Sequence, residues 1–195
     1  MIERVKIKIN FILFDLVSEK TLFPRIEFRE LESTDYSEIA RIYNYYIENT
    51  TNTFHQRPFL PEEIPNLIPI HHPKYRTFVI IEKNPTEIKT DIQKIIGFCA
   101  IKAFSPRESY ARTAEVVIYL DPLKVKKGLG AKALEYCEEY AKKVGIKVLL
   151  GSVSGENIAS IRLFQKLGYM ECGIFKQVGE KFGRILDVVH FQKFL

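Results

Sequence analysis

A chain of 195 residues with 46% hydrophobic side chains is long enough to bury a sizeable core and short enough for one domain, which excludes disordered and multidomain readings. The net charge of +5 is spread over 29 basic and 24 acidic residues without an aromatic-interleaved basic run, so it describes a mixed solvated surface and argues against nucleic acid as a partner. Cys99, Cys137 and Cys172 are odd in number and widely spaced, which suits buried thiols in a reducing cytoplasm; with His71-His72 a poor chelate beside proline, no metal is expected.

In chain order, Val5 to Val17 alternates lysine with isoleucine and then turns apolar, interrupted by Asp15. It is too short for a membrane span and lacks the cleavage pattern of a signal peptide, so it reads as an extra strand or hairpin element. Ile26 to Arg29 reads as a strand, and Ser33 or Thr34 as the cap of a helix whose apolar stripe is Ile39, Ile42, Tyr43, Tyr46 and Ile47. A short helix starts at Pro61, broken by Pro65 and Pro69. Strands follow at Arg76 to Glu82 and Lys94 to Ala103, joined by a polar loop.

The central strand, Glu115 to Leu120, alternates with period two until Asp121-Pro122 breaks it. Gly128-Leu129-Gly130 then opens a helix running to Lys143. A strand at Ile146 to Leu150, a helix from Asn157 to Leu167 ended by a left-handed Gly168, and strands at Met170 to Val178 and Ile185 to Phe194 complete the chain. Antiparallel hairpins at both ends around a strand–helix–strand crossover make this a mixed α+β fold with two parallel strands in its middle.

The glycine turn is the most informative site. Glycine lets the backbone approach a ligand, and the free N–H groups of a first helical turn attract anions, so a phosphate fits at Gly128, Leu129, Gly130 and Ala131. Lys124, Lys126, Lys127 and Lys132 add positive charge. Gly128, Gly130 and Ala133 also satisfy the dinucleotide fingerprint Gly-x-Gly-x-x-Ala, which makes a Rossmann-type protein an alternative. That motif wants an acid closing the next strand, where this chain has Gly151-Ser152.

The region 26–195 resembles the GNAT superfamily of N-acetyltransferases, and within it the phosphinothricin and methionine-sulfoximine acetyltransferase branch. The superfamily signal is the glycine turn, Asn157-Ile-Ala-Ser160 and Lys166-Leu-Gly168-Tyr169; the branch signal is Ile42 through Thr51, Thr113-Ala-Glu115, and Val178 through Arg184 with Leu186-Asp187-Val188. Residues 1–25 are left as an extension of the domain. Three positions depart from the resemblance. Val125 stands where members usually carry Arg or Gln, Ser105 where the branch has a substrate arginine, and Phe164 where relatives carry the Tyr or His that protonates the CoA thiolate.

What the resemblance implies is acetyl transfer from acetyl-CoA to the primary amine of a small amino-acid-like acceptor, in a central sheet whose parallel strands splay apart at a bulge. Glu115 is then the general base; its bland alternative is a surface or salt-bridged carboxylate. Ile118, Tyr119 and Leu120 would line acetyl-CoA, Lys126 to Ala131 its pyrophosphate, and Asn157 its pantetheine arm, although Tyr119 also reads as core and Asn157 as a helix cap. Phe54, Ser105, Arg107 and Tyr110 would wall the acceptor, with Arg107 open to a carboxylate. A non-catalytic acyl-CoA-binding module is the alternative that Phe164 suggests. A cytoplasmic enzyme with a small-molecule partner is expected, and a homodimer is left open.

Overall fold

The computed structural model describes residues 24–83, 94–125 and 128–195. The expected element within Val5 to Val17, most of the loop before Lys94, and Lys126 and Lys127 lie outside them. In chain order the elements are β1 (Arg25–Glu30), a 3-10 turn at Ser33–Asp35, α1 (Tyr36–Asn49), a 3-10 turn at Pro61–Glu63, α2 (Ile64–Leu67), β2 (Thr77–Lys83) and β3 (Lys94–Ala103). A 3-10 turn at Glu108–Tyr110 precedes β4 (Thr113–Leu120), followed by α3 (Leu129–Lys143), β5 (Val148–Ser154), α4 (Ile158–Lys166), β6 (Met170–Lys181) and β7 (Arg184–Phe194).

The strands form one seven-stranded sheet in the order β1-β2-β3-β4-β5-β7-β6. Among the described residues only β4 and β5 run parallel, because α3 carries the chain across the face between them. The other neighbours are antiparallel. This excludes the Rossmann alternative, which requires a mostly parallel sheet.

Both faces of the sheet are covered, so the middle strands are buried almost continuously: β3 from Ile95 to Ile101 meets no solvent to speak of. On one face α3 and α4 bring Leu134, Cys137 and Phe164 against Ile101, Val116 and Leu149. On the other, the α1 stripe of Ile39, Ile42, Tyr43 and Ile47 packs on Val79, Phe98 and Ala100, with Tyr46 partly buried. Each fully buried isoleucine in that stripe contributes about 1.5–3 kcal/mol.

Three expectations are corrected. Ser33 and Thr34 do not cap α1; they lie in the preceding turn, where the buried carboxylate of Asp35 accepts the Glu32 N–H at 2.8 Å and both terminal nitrogens of Arg29 at 2.7 and 2.8 Å. β5 starts two residues late because Gly145 (φ 79°) turns Ile146 under α3, where its N–H donates to the Ala141 carbonyl. The strand then outlasts its apolar run to Ser154, since β7 continues the ladder as far as Ser154 opposite Val188. Finally, Cys99 and Cys137 are buried thiols, but Cys172 sits on edge strand β6 and is exposed.

Candidate active site

β4 and β5 pair at Thr113 with Val148, Ala114 with Leu149 and Glu115 with Leu150, and then separate. Each strand follows its own antiparallel partner, β4 beside β3 to Leu120 and β5 beside β7 to Ser154. The twist of the two ribbons carries them apart. The β3–β4 ladder shows no register slip, so the expected bulge is not what opens the split there. Asp121 donates its N–H to Ile96, and ladder alternation then turns the backbone of Val116, Ile118 and Leu120 away from β3 and into the split. Tyr46 Oη donates to the Leu120 carbonyl at 2.6 Å. Val116, Ile118 and the N–H of Leu120 are left to offer backbone hydrogen bonds to an extended, amide-bearing ligand.

The mouth of the split meets the start of α3. Gly128 takes the left-handed conformation (φ 72°) that glycine tolerates, and no side chain among the described residues caps the helix. The N–H groups of Leu129, Gly130 and Ala131 therefore face outward as an anion site. Gly130 keeps α3 close to α4: a Cβ there would stand 3.1 Å from Leu163 Cδ2. A phosphate-bearing ligand with a peptide-like arm suits this combination.

Glu115 closes the paired part of β4. Its neighbours Ala114 and Val116 face α3 and α4, so Glu115 shares the α1 face with Val117 and Tyr119, as alternation predicts. Burial pushes its carboxyl above the ordinary glutamate value, against the opposing pull of Lys102 and His190. Neither cation was singled out in the sequence. Lys102 is opposite Glu115 on β3, and His190 is opposite Ser152, just past the last β4–β5 pair. Ser152 Oγ and His190 Nδ1 are 3.1 Å apart, while His190 Nε2 is buried with no hydrogen-bond partner among the described residues.

A cavity of about 530 Å³ opens beside this face, between α2 and the β3–β4 connection. Asn66, His72, Lys102, Ser105 and Arg107 contribute its polar lining. Ser105 and Arg107 are thus brought together, with Ser105 Oγ accepting the Arg107 N–H at 3.3 Å. Tyr110 follows Arg107 in the adjoining 3-10 turn, its N–H donating to the Arg107 carbonyl at 3.0 Å, whereas Phe54 is not among the residues that line the cavity. Phe54 lies over Gly179 of β6, where a Cβ would come 2.3 Å from its ring, and Tyr110 packs edge-on against Phe104 at 5.4 Å.

Residues 33–169 match the acetyltransferase (GNAT) family. The chain belongs to that family. It is 26% identical over 162 residues to the phosphinothricin N-acetyltransferase of Streptomyces coelicolor, covering 82% of this chain and 90% of that one. With the L-methionine sulfoximine/L-methionine sulfone acetyltransferase of Pseudomonas aeruginosa it shares 28% identity over 165 residues, 84% of this chain and 91% of the relative. Its structure superposes on that of a GNAT superfamily phosphinothricin acetyltransferase from Sinorhizobium meliloti in complex with AcCoA, with a TM-score of 0.78, 26% identity and coverage of 87% and 88%. This company of named enzymes makes the chain an acetyltransferase and weighs against a non-catalytic module.

In this acetyltransferase Phe164 is core: it stacks on Phe191 at 5.5 Å and meets Tyr169 edge-on. Asn157 caps α4, its Oδ1 accepting the Ser160 N–H at 3.1 Å. Tyr119 stacks on Phe98 and meets Tyr43 at 4.8 Å, so its ring is largely packing. Burial holds the Tyr119 phenol far above its ordinary range and lifts that of Tyr46 to about 12, which keeps both neutral. Lys181 completes this corner, giving hydrogen bonds to the carbonyls of Thr53 at 2.8 Å and Tyr46 at 3.4 Å, and burial lowers its proton affinity. No helix among the described residues is long and apolar enough to cross a membrane.

Proposed function

We propose that the enzyme transfers acetyl from acetyl-CoA to the primary amine of a small amino-acid-like acceptor of the phosphinothricin or methionine sulfoximine/sulfone type, by direct attack. The observation that carries this is Glu115 at the last parallel pair, where the split begins. An alkyl-ammonium group holds its proton strongly, with a reference value of roughly 10.4 for lysine. A carboxylate raised by burial is the better base for removing that proton. Glu115 takes this role.

The split and the uncapped start of α3 fit acetyl-CoA, which would supply the activated acetyl group. Ile118 and Leu120 flank its arm and Tyr119 backs it, with Leu120 offering its N–H alone because Tyr46 holds its carbonyl. Gly128, Leu129, Gly130 and Ala131 meet the pyrophosphate with Lys126 and Lys127 as added charge, and Asn157 reaches the arm from its cap position. The N–H of Ile118 can stabilise charge developing on the attacked oxygen. Phe164 offers no proton, so water or the acceptor itself protonates the thiolate.

Ser105 and Arg107 wall the acceptor within the cavity, with Tyr110 in the turn that follows and Phe54 over β6. We extend the domain over residues 26–195, with 1–25 as an accessory extension, in a cytoplasmic protein that binds neither nucleic acid nor membrane. β6 is an edge strand exposing Ile174, Phe175 and Val178, which supports a homodimer.

Thiol release from acetyl-CoA, followed over phosphinothricin, methionine sulfoximine, methionine sulfone, polyamines and peptide N-termini, tests the reading. Compact amino acids should give sustained turnover and outperform the rest. Binding of acetyl-CoA without turnover on any amine would overturn it.

A further inference from the structure

Lys102 and Glu115 are opposite one another in the β3–β4 register and point to the same face of the sheet. Directly opposed residues have their Cβ atoms about 4.5–5.5 Å apart, close enough for the two side chains to pair. They do not: Lys102 makes no ion pair or hydrogen bond among the described residues. Other lysines here are tied to carboxylates, Lys124 to Glu82 and Lys193 to Glu138. Lys102 instead lines the 530 Å³ cavity together with Arg107, beside the position where Ser105 replaces an arginine.

An α-amino acid presents an ammonium and a carboxylate on one carbon. The open Glu115–Lys102 pair presents the complementary charges from adjacent strands. From this juxtaposition we infer that Lys102 is a specificity-determining residue that holds the acceptor's α-carboxylate, so that the neighbouring amine meets Glu115. The inference rests on the reading of Glu115 as the base. Polyamines and peptide N-termini lack a carboxylate beside the amine, so Lys102 repels the first and gains nothing from the second. Glu108 also lines the cavity and disfavours a second negative charge further out. His72 contributes no open nitrogen at Nδ1, which accepts the N–H groups of Lys74 and Tyr75.

The test compares methionine sulfone with its α-carboxamide in wild type, Lys102→Met, Lys102→Arg and Glu115→Gln, reading KM and kcat separately. A hydrogen bond to a charged group is worth a factor of about 10 to 150. Lys102→Met should raise KM for methionine sulfone by that factor and change KM for the carboxamide less than about threefold; Lys102→Arg should recover most of the loss. An equal change on both compounds, or none on the acid, overturns the inference. If Glu115→Gln instead retains full kcat while Lys102→Met still discriminates, the base assignment fails and the carboxylate site stands. A wild type that acetylates neither compound removes both.

Discussion

A Cβ built on Gly151 would lie 2.4 Å from Cζ of Phe164, so β5 and α4 meet with nothing between the strand backbone and the phenylalanine ring. That contact argues against restoring an acid by a simple exchange at this position. The ring is already buried between Gly151 on its face, Phe191 and Tyr169, so the hydroxyl of Phe164→Tyr adds an atom to a filled core. It should destabilise the protein by about 1–3 kcal/mol, as overpacked cores do, and leave kcat no higher than wild type. Gly151→Ala should destabilise by a comparable amount. Denaturant unfolding with steady-state kinetics measures both; a Phe164→Tyr variant of full stability and raised kcat would show that the ring has room to serve as the acid.

Glu115→Gln should leave acetyl-CoA affinity nearly unchanged and lower turnover by on the order of 10²-fold near neutral pH. The deficit should shrink at high pH, where the amine loses its proton unaided. Stability should move the other way. Burial raises the folded-state pKa of Glu115, so the folded protein binds more protons than the unfolded chain between the ordinary glutamate value and that raised value. Its stability therefore falls as pH rises through this window, and Glu115→Gln should unfold at a higher temperature than wild type at neutral pH.

Lys102 and His190 both oppose the effect of burial on Glu115. Removing either positive charge favours the protonated carboxyl, so Lys102→Met and His190→Phe should each move the acid limb of the kcat/KM profile to higher pH. Facing His190 on this side of the sheet are Glu115, Ser152 and the Phe175 ring, the last 4.4 Å away. Ser152→Ala should loosen the imidazole and shift the limb less than His190→Phe does. Unmoved limbs in both charge variants would mean that the two side chains act on Glu115 too weakly to matter.

The parts legible in the sequence were those set by local patterning: the glycine turn, the alternation that puts Glu115 on the face of Val117 and Tyr119, and the stripe of α1. The parts that escaped it depend on register. Lys102 is thirteen positions from Glu115 and His190 is seventy-five from it, and only the pairing of β3 with β4 and of β5 with β7 brings them near. The α1 cap was misplaced because Ser33 and Thr34 are ordinary capping residues, whereas the buried Asp35 is drawn to Arg29, a long-side-chain partner on β1. Phe54 is drawn to Gly179 and the Tyr110 ring to Phe104 by aromatic packing, although the Tyr110 backbone stays bonded to Arg107.

The Arg29–Asp35 pair should be the acid-sensitive clamp at the start of α1. Burial alone would push the Asp35 carboxyl up, but the Arg29 guanidinium and the Glu32 N–H outweigh it and hold the group below the usual carboxylate range. Its stabilisation is then complete above the unfolded-state pKa and lost as pH falls through the folded one. Asp35→Ala should cost about 1.5–3 kcal/mol at neutral pH, in the range for hydrogen bonds to a charged group, and the difference from wild type should narrow in acid. Denaturation midpoints at neutral and low pH measure this; a constant difference would detach the clamp from the titration of Asp35.

Gly128→Ala separates the conformation of the donor site from its charge. Nothing among the described residues lies within 4 Å of a Cβ at this position, but its φ of 72° is unfavourable for any residue with a Cβ. The penalty is about 1–2 kcal/mol, and it can be relieved only by moving the turn that presents the N–H groups of Leu129, Gly130 and Ala131. Calorimetry should therefore find weaker CoA binding together with lower stability. High salt should weaken CoA binding in wild type and variant alike, because the lysine contribution is screened while the backbone geometry is not. A Gly128→Ala protein that binds CoA as wild type does would show that the left-handed turn serves the helix start and not the phosphate.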